Sequence, residues 1–186
     1  MDKYDCYSNY PPVESVRTDA TVLRPPCRSP LVVIEALRPY IEGKVVCEIG
    51  SALGDIVLKM KKYAKYVLGI EIDEERAEYS KKRGLDTRYG NALDLLPLPD
   101  KVDVYYMWMD PKPTRRIFDA IENGIIIMAG ELEYGAEQDG YARGIEVKVL
   151  DEIHAGNPGS QMFEIKYDEG DGDRESGVLV LLVVKK

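Results

Sequence analysis

The sequence predicts an α/β domain built on a mostly parallel sheet, and three stretches carry that prediction. The first is Lys44 to Asp73, which reads as a short apolar strand ending in an acid, a glycine-bearing turn, an amphipathic helix, and a second strand ending in another acid. The second is the alternation of helix and strand patterns that continues from Asp73 to Met128. The third is a pair of apolar runs near the C-terminus, Met162 to Tyr167 and Val178 to Lys185, which read as an antiparallel hairpin around an acidic, glycine-containing loop from Asp168 to Gly177.

In the first stretch, Val45-Val46-Cys47 is bounded by Gly43 and Gly50, and its β-branched content favours a strand. Gly50 and Gly54 bracket the turn, where a residue without a Cβ permits positive φ and a close approach to the chain. Ile56, Val57, Met60, Ala64 and Val67 recur near helical spacing, with Lys59, Lys61, Lys62 and Lys65 elsewhere around the wheel. The next apolar run closes at Glu71, 23 residues after Glu48. Ligands of open parallel sheets sit outside the carboxyl ends of the strands, so Glu48, Gly50 and Glu71 mark the expected crevice. The dinucleotide fingerprint G-x-G-x-x-G is absent, because Ala52 stands where its second glycine should be. A pyrophosphate here would also face Glu48, and like charges about 4 Å apart cost about 4 kcal/mol at an effective dielectric near 20. A ligand carrying an ammonium and a sulfonium would be attracted instead.

Those residues, EIGSALG followed by IEID, resemble the class I S-adenosylmethionine-dependent methyltransferases, whose first motif is an acid-x-Gly-x-x-x-Gly turn and whose second acid binds the ribose. The resemblance implies a Rossmann-like three-layer α/β/α sandwich with a seven-stranded, mostly parallel sheet ending in an antiparallel C-terminal hairpin. It implies S-adenosylmethionine as cofactor, with Glu48, Gly50 and Gly54 shaping the methionine side and Glu71 taking the ribose hydroxyls. Ser51, Ala52, Ile72 and Ala92 are further expected cofactor contacts, and Asn91 is expected beside the adenine amino group, with Asp94 as its runner-up. The competing reading makes Glu48 and Glu71 solvated strand ends of some other α/β domain.

With 186 residues, 45% of them hydrophobic and 31% charged, the chain reads as one soluble domain. The net charge of −8 weighs against a phosphate-tracking surface, and the lysine runs at 59–65 and 81–83 read as solvated helix faces. A small-molecule substrate is therefore expected in preference to a nucleic acid. The three cysteines lack metal-ligand spacing, and no basic-then-apolar segment opens the chain, so a cytoplasmic protein with reduced thiols is expected. No apolar run reaches the roughly 18 residues that span a bilayer.

Residues 1–30, rich in Tyr and Pro, lack periodicity and read as an irregular extension preceding a domain over 31–186. That extension is open to two readings, a lid carrying substrate-contacting tyrosines or a tail or homodimer contact; the resemblance favours the lid. Ser29-Pro30 opens a helix ending at Gly43, with Pro39 tolerated only near a kink or end. Asp73-Glu74-Glu75 and Lys81-Lys82-Arg83-Gly84 delimit the helix after the second strand. Leu85 to Tyr89 is a weak third strand, and Val102 to Met109 a fourth that ends at Asp110-Pro111-Lys112-Pro113. Tyr106 and Trp108 alternate on one face of that strand and read as core.

Asp110 would lie over the transferable methyl, as a base or an acceptor-orienting group. Base-directed amino methyltransferases have Asn or Asp, then Pro-Pro, then an aromatic; Lys112 and Pro113 depart from that pattern. Asp110 with Glu131 or Glu133 is a minor metal alternative, and no metal is expected. Thr114 is expected to cap a helix containing Ile117, Phe118 and Ile121 and ending around Asn123-Gly124, with a fifth strand from Ile125 to Met128. Gly135 to His154 is read as helix from its four-residue spacing, although Ile145 to Val149 also alternates like a strand. The functional expectation is an S-adenosylmethionine-dependent methyltransferase. The alternative is a non-catalytic binding or interaction module on the same fold, and a nicotinamide oxidoreductase is disfavoured by Ala52 and Glu48.

Overall fold

The computed structural model describes residues 17–18, 21–22, 31–99, 101–108, 111–131, 145–151, 161–168 and 175–185. Two short strands of the N-terminal segment, β1 (Arg17–Thr18) and β2 (Thr21–Val22), pair antiparallel. The remaining strands are β3 (Val45–Ile49), β4 (Tyr66–Glu71), β5 (Thr87–Tyr89), β6 (Val104–Trp108), β7 (Gly124–Glu131), β8 (Ile145–Asp151), β9 (Gln161–Asp168) and β10 (Glu175–Lys185). They form one sheet in the order β5-β4-β3-β6-β7-β10-β9-β8. Strands β3 to β7 are parallel, and β10, β9 and β8 pair antiparallel in succession.

The mixed sheet with its antiparallel C-terminal pair matches expectation, but the count does not. Among the described residues the sheet has eight strands in place of the expected seven, because 145–151 is a strand on the edge of β9 and not part of a helix. The alternation of Ile145, Val147 and Val149 outweighs their four-residue spacing once β9 offers a row of unpaired backbone groups.

Helices cover both faces. Over one lie α1 (Leu31–Ala36), α2 (Arg38–Ile41) and α3 (Asp55–Met60), whose Ile34, Ile41, Val57 and Met60 pack in one cluster with Leu37 between α1 and α2 and with Val46, Val67 and Tyr106 of the strands. Over the other lie α5 (Ala92–Leu95) and α6 (Pro111–Ala120), where Ala92, Ile117 and Ile121 meet Cys47, Ile49 and Met107. The helix expected from Leu31 to Ile41 breaks at Leu37, which leaves Pro39 in a first turn, where its missing N–H costs nothing. Helix α6 begins at Pro111, before the expected Thr114 cap, for the same reason. At the other end of α6, Lys185 Nζ donates to the carbonyls of Phe118 and Ile121, a cation at the negative end of the helix dipole.

The helix expected to carry the first lysine run ends at Met60, so Lys61, Lys62 and Lys65 sit on a turn. That turn is fixed by the segment before β3, with Gly43 N donating to Tyr63 O at 3.0 Å and Lys65 N to Lys44 O at 2.9 Å. Helix α4 (Glu74–Lys82) has the ends its sequence announces: Asp73 Oδ1 accepts from Arg76 N at 3.0 Å, and Gly84 follows at φ +75°. No helix among the described residues is long and apolar enough to cross a membrane.

Candidate functional site

The strand order places a switch point at β3, with β4 on one side and β6 on the other, and the crevice opens above the carboxyl ends of these strands. Glu48 lies in β3 opposite Gly69 of β4 and Tyr106 of β6, and Glu71 ends β4. Both carboxyls are buried, each only 4% exposed, so neither is a solvated strand end.

Backbone bonds that sequence spacing could not reveal hold the turn between them. Gly50 N and Ser51 N both donate to Ile70 O, at 2.8 and 3.0 Å, and Gly54 N closes the bend onto Ser51 O at 2.8 Å. Glu71 is the hub: Oε2 accepts from Ala52 N at 2.7 Å and Oε1 from Asp73 N at 2.9 Å. A carboxylate offers about four acceptor positions, so two remain for hydroxyl donors. Glu48 is differently placed. Its carboxyl accepts from the Val57 backbone N–H, while Oε2 is buried without a hydrogen-bond partner.

Burial sets the electrostatics of this pair. Desolvation, then the neighbouring Glu71 charge, push the Glu48 carboxyl well above the ordinary carboxylate range, against the Val57 N–H. Desolvation also raises Glu71, opposed by the Asp73 and Ala52 N–H donors and by the Arg76 guanidinium. The crevice is a buried, underpartnered site with an appetite for positive charge and hydroxyl donors.

The glycines divide their roles. Gly50, at φ +82°, permits the bend. At Gly54 a Cβ would lie 2.4 Å from both Leu85 Cδ1 and Ser80 Oγ, so its missing side chain lets α4 and the segment leading into β5 pack beneath the turn. Gly69 escaped sequence reading, yet a Cβ on it would meet Ser51 Oγ at 2.6 Å; its signal was a glycine in mid-strand, which marks close approach. Ala52 adopts φ +47°, in the left-handed region that costs a side-chain-bearing residue about 1–2 kcal/mol. Ala52→Gly should therefore stabilise the fold by about 0.5–1 kcal/mol, after the entropy a glycine forfeits on folding. Thermal unfolding should show a midpoint higher by about 1–4 °C, and an unchanged or lower midpoint would contradict the strain.

Of the remaining expected residues, Ser51 is buried with an unpartnered Oγ, Ile72 is half-buried just past Glu71, and Ala92 is buried at the start of α5. Asn91 is exposed and caps α5, its Oδ1 accepting from Leu93 N at 3.0 Å. Asp110 lies outside the described residues, as do Glu133, His154, Cys6 and Cys27. Tyr106 and Cys47 are fully buried and Trp108 packs on the same core as Tyr106. Sequence reading missed Arg76 and Arg83. Arg76, 4% exposed, is a cation in the first turn of a helix, against the dipole, and that mismatch was its signal. Arg83, expected in a solvated run, turns back to bond Leu53 O and Asp55 Oδ1, both at 2.7 Å, and so ties α4 to the turn.

No protein-family model matches the chain, and no curated protein matches it either. Solved structures do. An RNA methyltransferase from Salinibacter ruber, in complex with S-adenosylhomocysteine, is 16% identical over 87% of this chain and 95% of its own, with a TM-score of 0.50. Thermoplasma acidophilum 1320 is 17% identical over 83% of this chain and 86% of its own, also at 0.50. An S-adenosylmethionine-dependent methyltransferase from Mesorhizobium loti, 21% identical with a TM-score of 0.42, is matched over 53% of this chain and 52% of its own. The chain has the Rossmann-like fold of class I methyltransferases, as the resemblance implied. The expected preference for a small-molecule substrate over a nucleic acid is corrected by the Salinibacter match, a protein named for RNA. The error has a physical source: a net charge of −8 averages over the surface and is silent about local clusters of lysine.

Proposed function

We propose that the protein is an S-adenosylmethionine-dependent methyltransferase acting on RNA. One observation carries the cofactor: two buried carboxyls at the carboxyl ends of neighbouring parallel strands, one with an orphaned oxygen, on either side of a turn stitched to the second of them. An ammonium and sulfonium would favour the ionised form of Glu48, which burial opposes in the free protein, and the two free acceptor positions of Glu71 suit a pair of ribose hydroxyls. A diphosphate would meet the same carboxyls as repulsion, which argues against a nicotinamide cofactor. Ser51, Ala52 and Ile72 would line the same ligand, with Asn91 and Ala92 toward its adenine. The named activity of the Salinibacter protein supports RNA as the acceptor class.

When bound, the cofactor supplies a methyl on a positively charged sulfur. The work left to the chain is to hold the acceptor in line with it and to take a proton from a protonated acceptor. Asp110, between β6 and α6 in sequence, is the proposed group for that role. Calorimetry with S-adenosylhomocysteine tests the cofactor, and transfer of labelled methyl to an RNA pool tests the activity. Binding without transfer would leave a non-catalytic module on the same fold.

Glu71→Ala is expected to weaken S-adenosylhomocysteine binding by about 10- to 100-fold, since hydrogen bonds to a charged group contribute about 1.5–3 kcal/mol. Glu71→Gln, which keeps a carbonyl acceptor, should recover part of that loss. The ligand-free melting temperature, measured alongside, separates lost ribose contacts from a loosened turn. Wild-type affinity in both variants would remove Glu71 from the ribose.

A further inference from the structure

At the end of the sheet opposite the crevice, the turn from Lys61 to Tyr66 and the adjoining Lys44 concentrate positive charge and aromatic rings. Lys61, Lys62 and Lys65 are exposed and Lys44 half-buried; among the described residues none of the four has an ion-pair or side-chain hydrogen-bond partner. The backbone bonds of Lys65 N and Tyr66 N to Lys44 O hold the two segments together, so the lysines lie on one built turn rather than on a loose tail. Interleaved with them are Tyr66, 45% exposed with its hydroxyl donating to Asp86, and Tyr63, whose ring carries the Arg38 guanidinium at 5.3 Å. The carboxylates at the margin are Glu42, engaged by Arg38 at 2.7 Å, Asp86, engaged by Tyr66, and Asp103, which accepts from Val45 N at 2.9 Å.

We propose that this patch is the docking surface for the RNA acceptor, at the N-terminal ends of β3 and β4, about 16 Å from the crevice by the rise of a five-residue strand. The inference rests on the RNA reading above and adds where the strand binds outside the site. Unpaired lysines suit phosphates, and a ring held by its own hydroxyl and left half in solvent suits a stacked base. On a chain of net charge −8, such a patch also fixes which face a polyanion approaches.

The test is fluorescence anisotropy of a labelled single-stranded RNA between about 50 and 200 mM salt. Four lysine contacts predict a slope of log affinity against log salt near −3, at about −0.7 per contact on single strands. Lys61→Gln/Lys62→Gln/Lys65→Gln should bring that slope to about −1 and cost at least tenfold in affinity at low salt, with calorimetric binding of S-adenosylhomocysteine unchanged. A control, Lys148→Gln/Lys166→Gln on β8 and β9 at the other edge of the sheet, should keep the wild-type slope, and Tyr66→Ala should weaken binding without changing it. A triple variant that binds RNA like the wild type overturns the docking surface and leaves the RNA reading standing. A wild type that binds S-adenosylhomocysteine but no RNA overturns both. Lysine-dependent cosedimentation with phosphatidylserine vesicles, without RNA binding, would replace this reading with a membrane-facing one.

Discussion

Glu48→Gln is expected to make the ligand-free protein more stable at pH 8 while weakening S-adenosylmethionine binding at least tenfold. Glu48 is buried beside Glu71 with one carboxyl oxygen unpartnered, and desolvation and the Glu71 charge push its carboxyl well above the ordinary range, so its ionised form is poorly stabilised. An isosteric neutral amide cannot ionise but keeps a buried polar tip, so the net gain at pH 8 should be about 1 kcal/mol. The ligand, in contrast, loses the nearest opposing charge for its cationic end.

The pH dependence follows from the direction of the shifts. Both carboxyls titrate above the ordinary value of 4.5 when folded. Below that value folded and unfolded chains are both protonated and the full stabilisation is present. As the pH rises past 4.5 the unfolded chain releases its protons first, so stability from these two groups falls until the folded state titrates as well. Denaturant titrations at several pH values above about 5.5, clear of the sequence pI near 4.9, should show the wild type losing stability and the variant losing less. A variant less stable than the wild type at pH 8 would mean that the Glu48 carboxylate is well satisfied, and the account of the crevice would fail.

Gly54→Ala is expected to cost about 3–4 kcal/mol and to abolish cofactor binding. Its Cβ would lie 2.4 Å from Leu85 Cδ1 and from Ser80 Oγ, both on buried side chains, and Ser80 is further held by Thr87 Oγ1 at 2.6 Å. Neither neighbour is a flexible tip that can swing into solvent. The left-handed backbone at φ +83° adds about 1–2 kcal/mol to an overpacking cost of about 1–3. A fall in melting temperature of about 6–15 °C should accompany the loss of calorimetric signal with S-adenosylhomocysteine. Wild-type stability would show that α4 and the segment leading into β5 can move apart beneath the turn, contrary to the packing of Leu85 in the main core. The contrast with Ala52→Gly is the sharper check, because one turn contains a glycine that cannot gain a methyl and an alanine that gains by losing one.

Much of this fold was legible because its signals are local. Val45 to Glu71 could be divided into strand, turn, helix and strand because β-branched runs, paired glycines and helical spacing are consequences of the nearest neighbours in the chain. The capped ends of α4 were legible for the same reason, each cap being a short-range hydrogen bond. Where two local patterns competed, as over 145–151, sequence could not arbitrate. The deciding term was the backbone pairing offered by β9, which lies in a separate segment after 151. Likewise Arg83 read as one of three exposed cations until the fold brought the Leu53 carbonyl and Asp55 within its reach.

The sequence by itself determined that acids close two successive parallel strands around a glycine bend, since that order of residue types is fixed by the chain and its spacing by the length of one helix. Only the tertiary structure decided what those acids experience. Burial to 4% exposure, one orphaned oxygen on Glu48, two amide donors on Glu71 and the lysines gathered at the far end of the sheet all depend on segments meeting across the fold. Desolvation and Coulomb energies act through space and not along the chain.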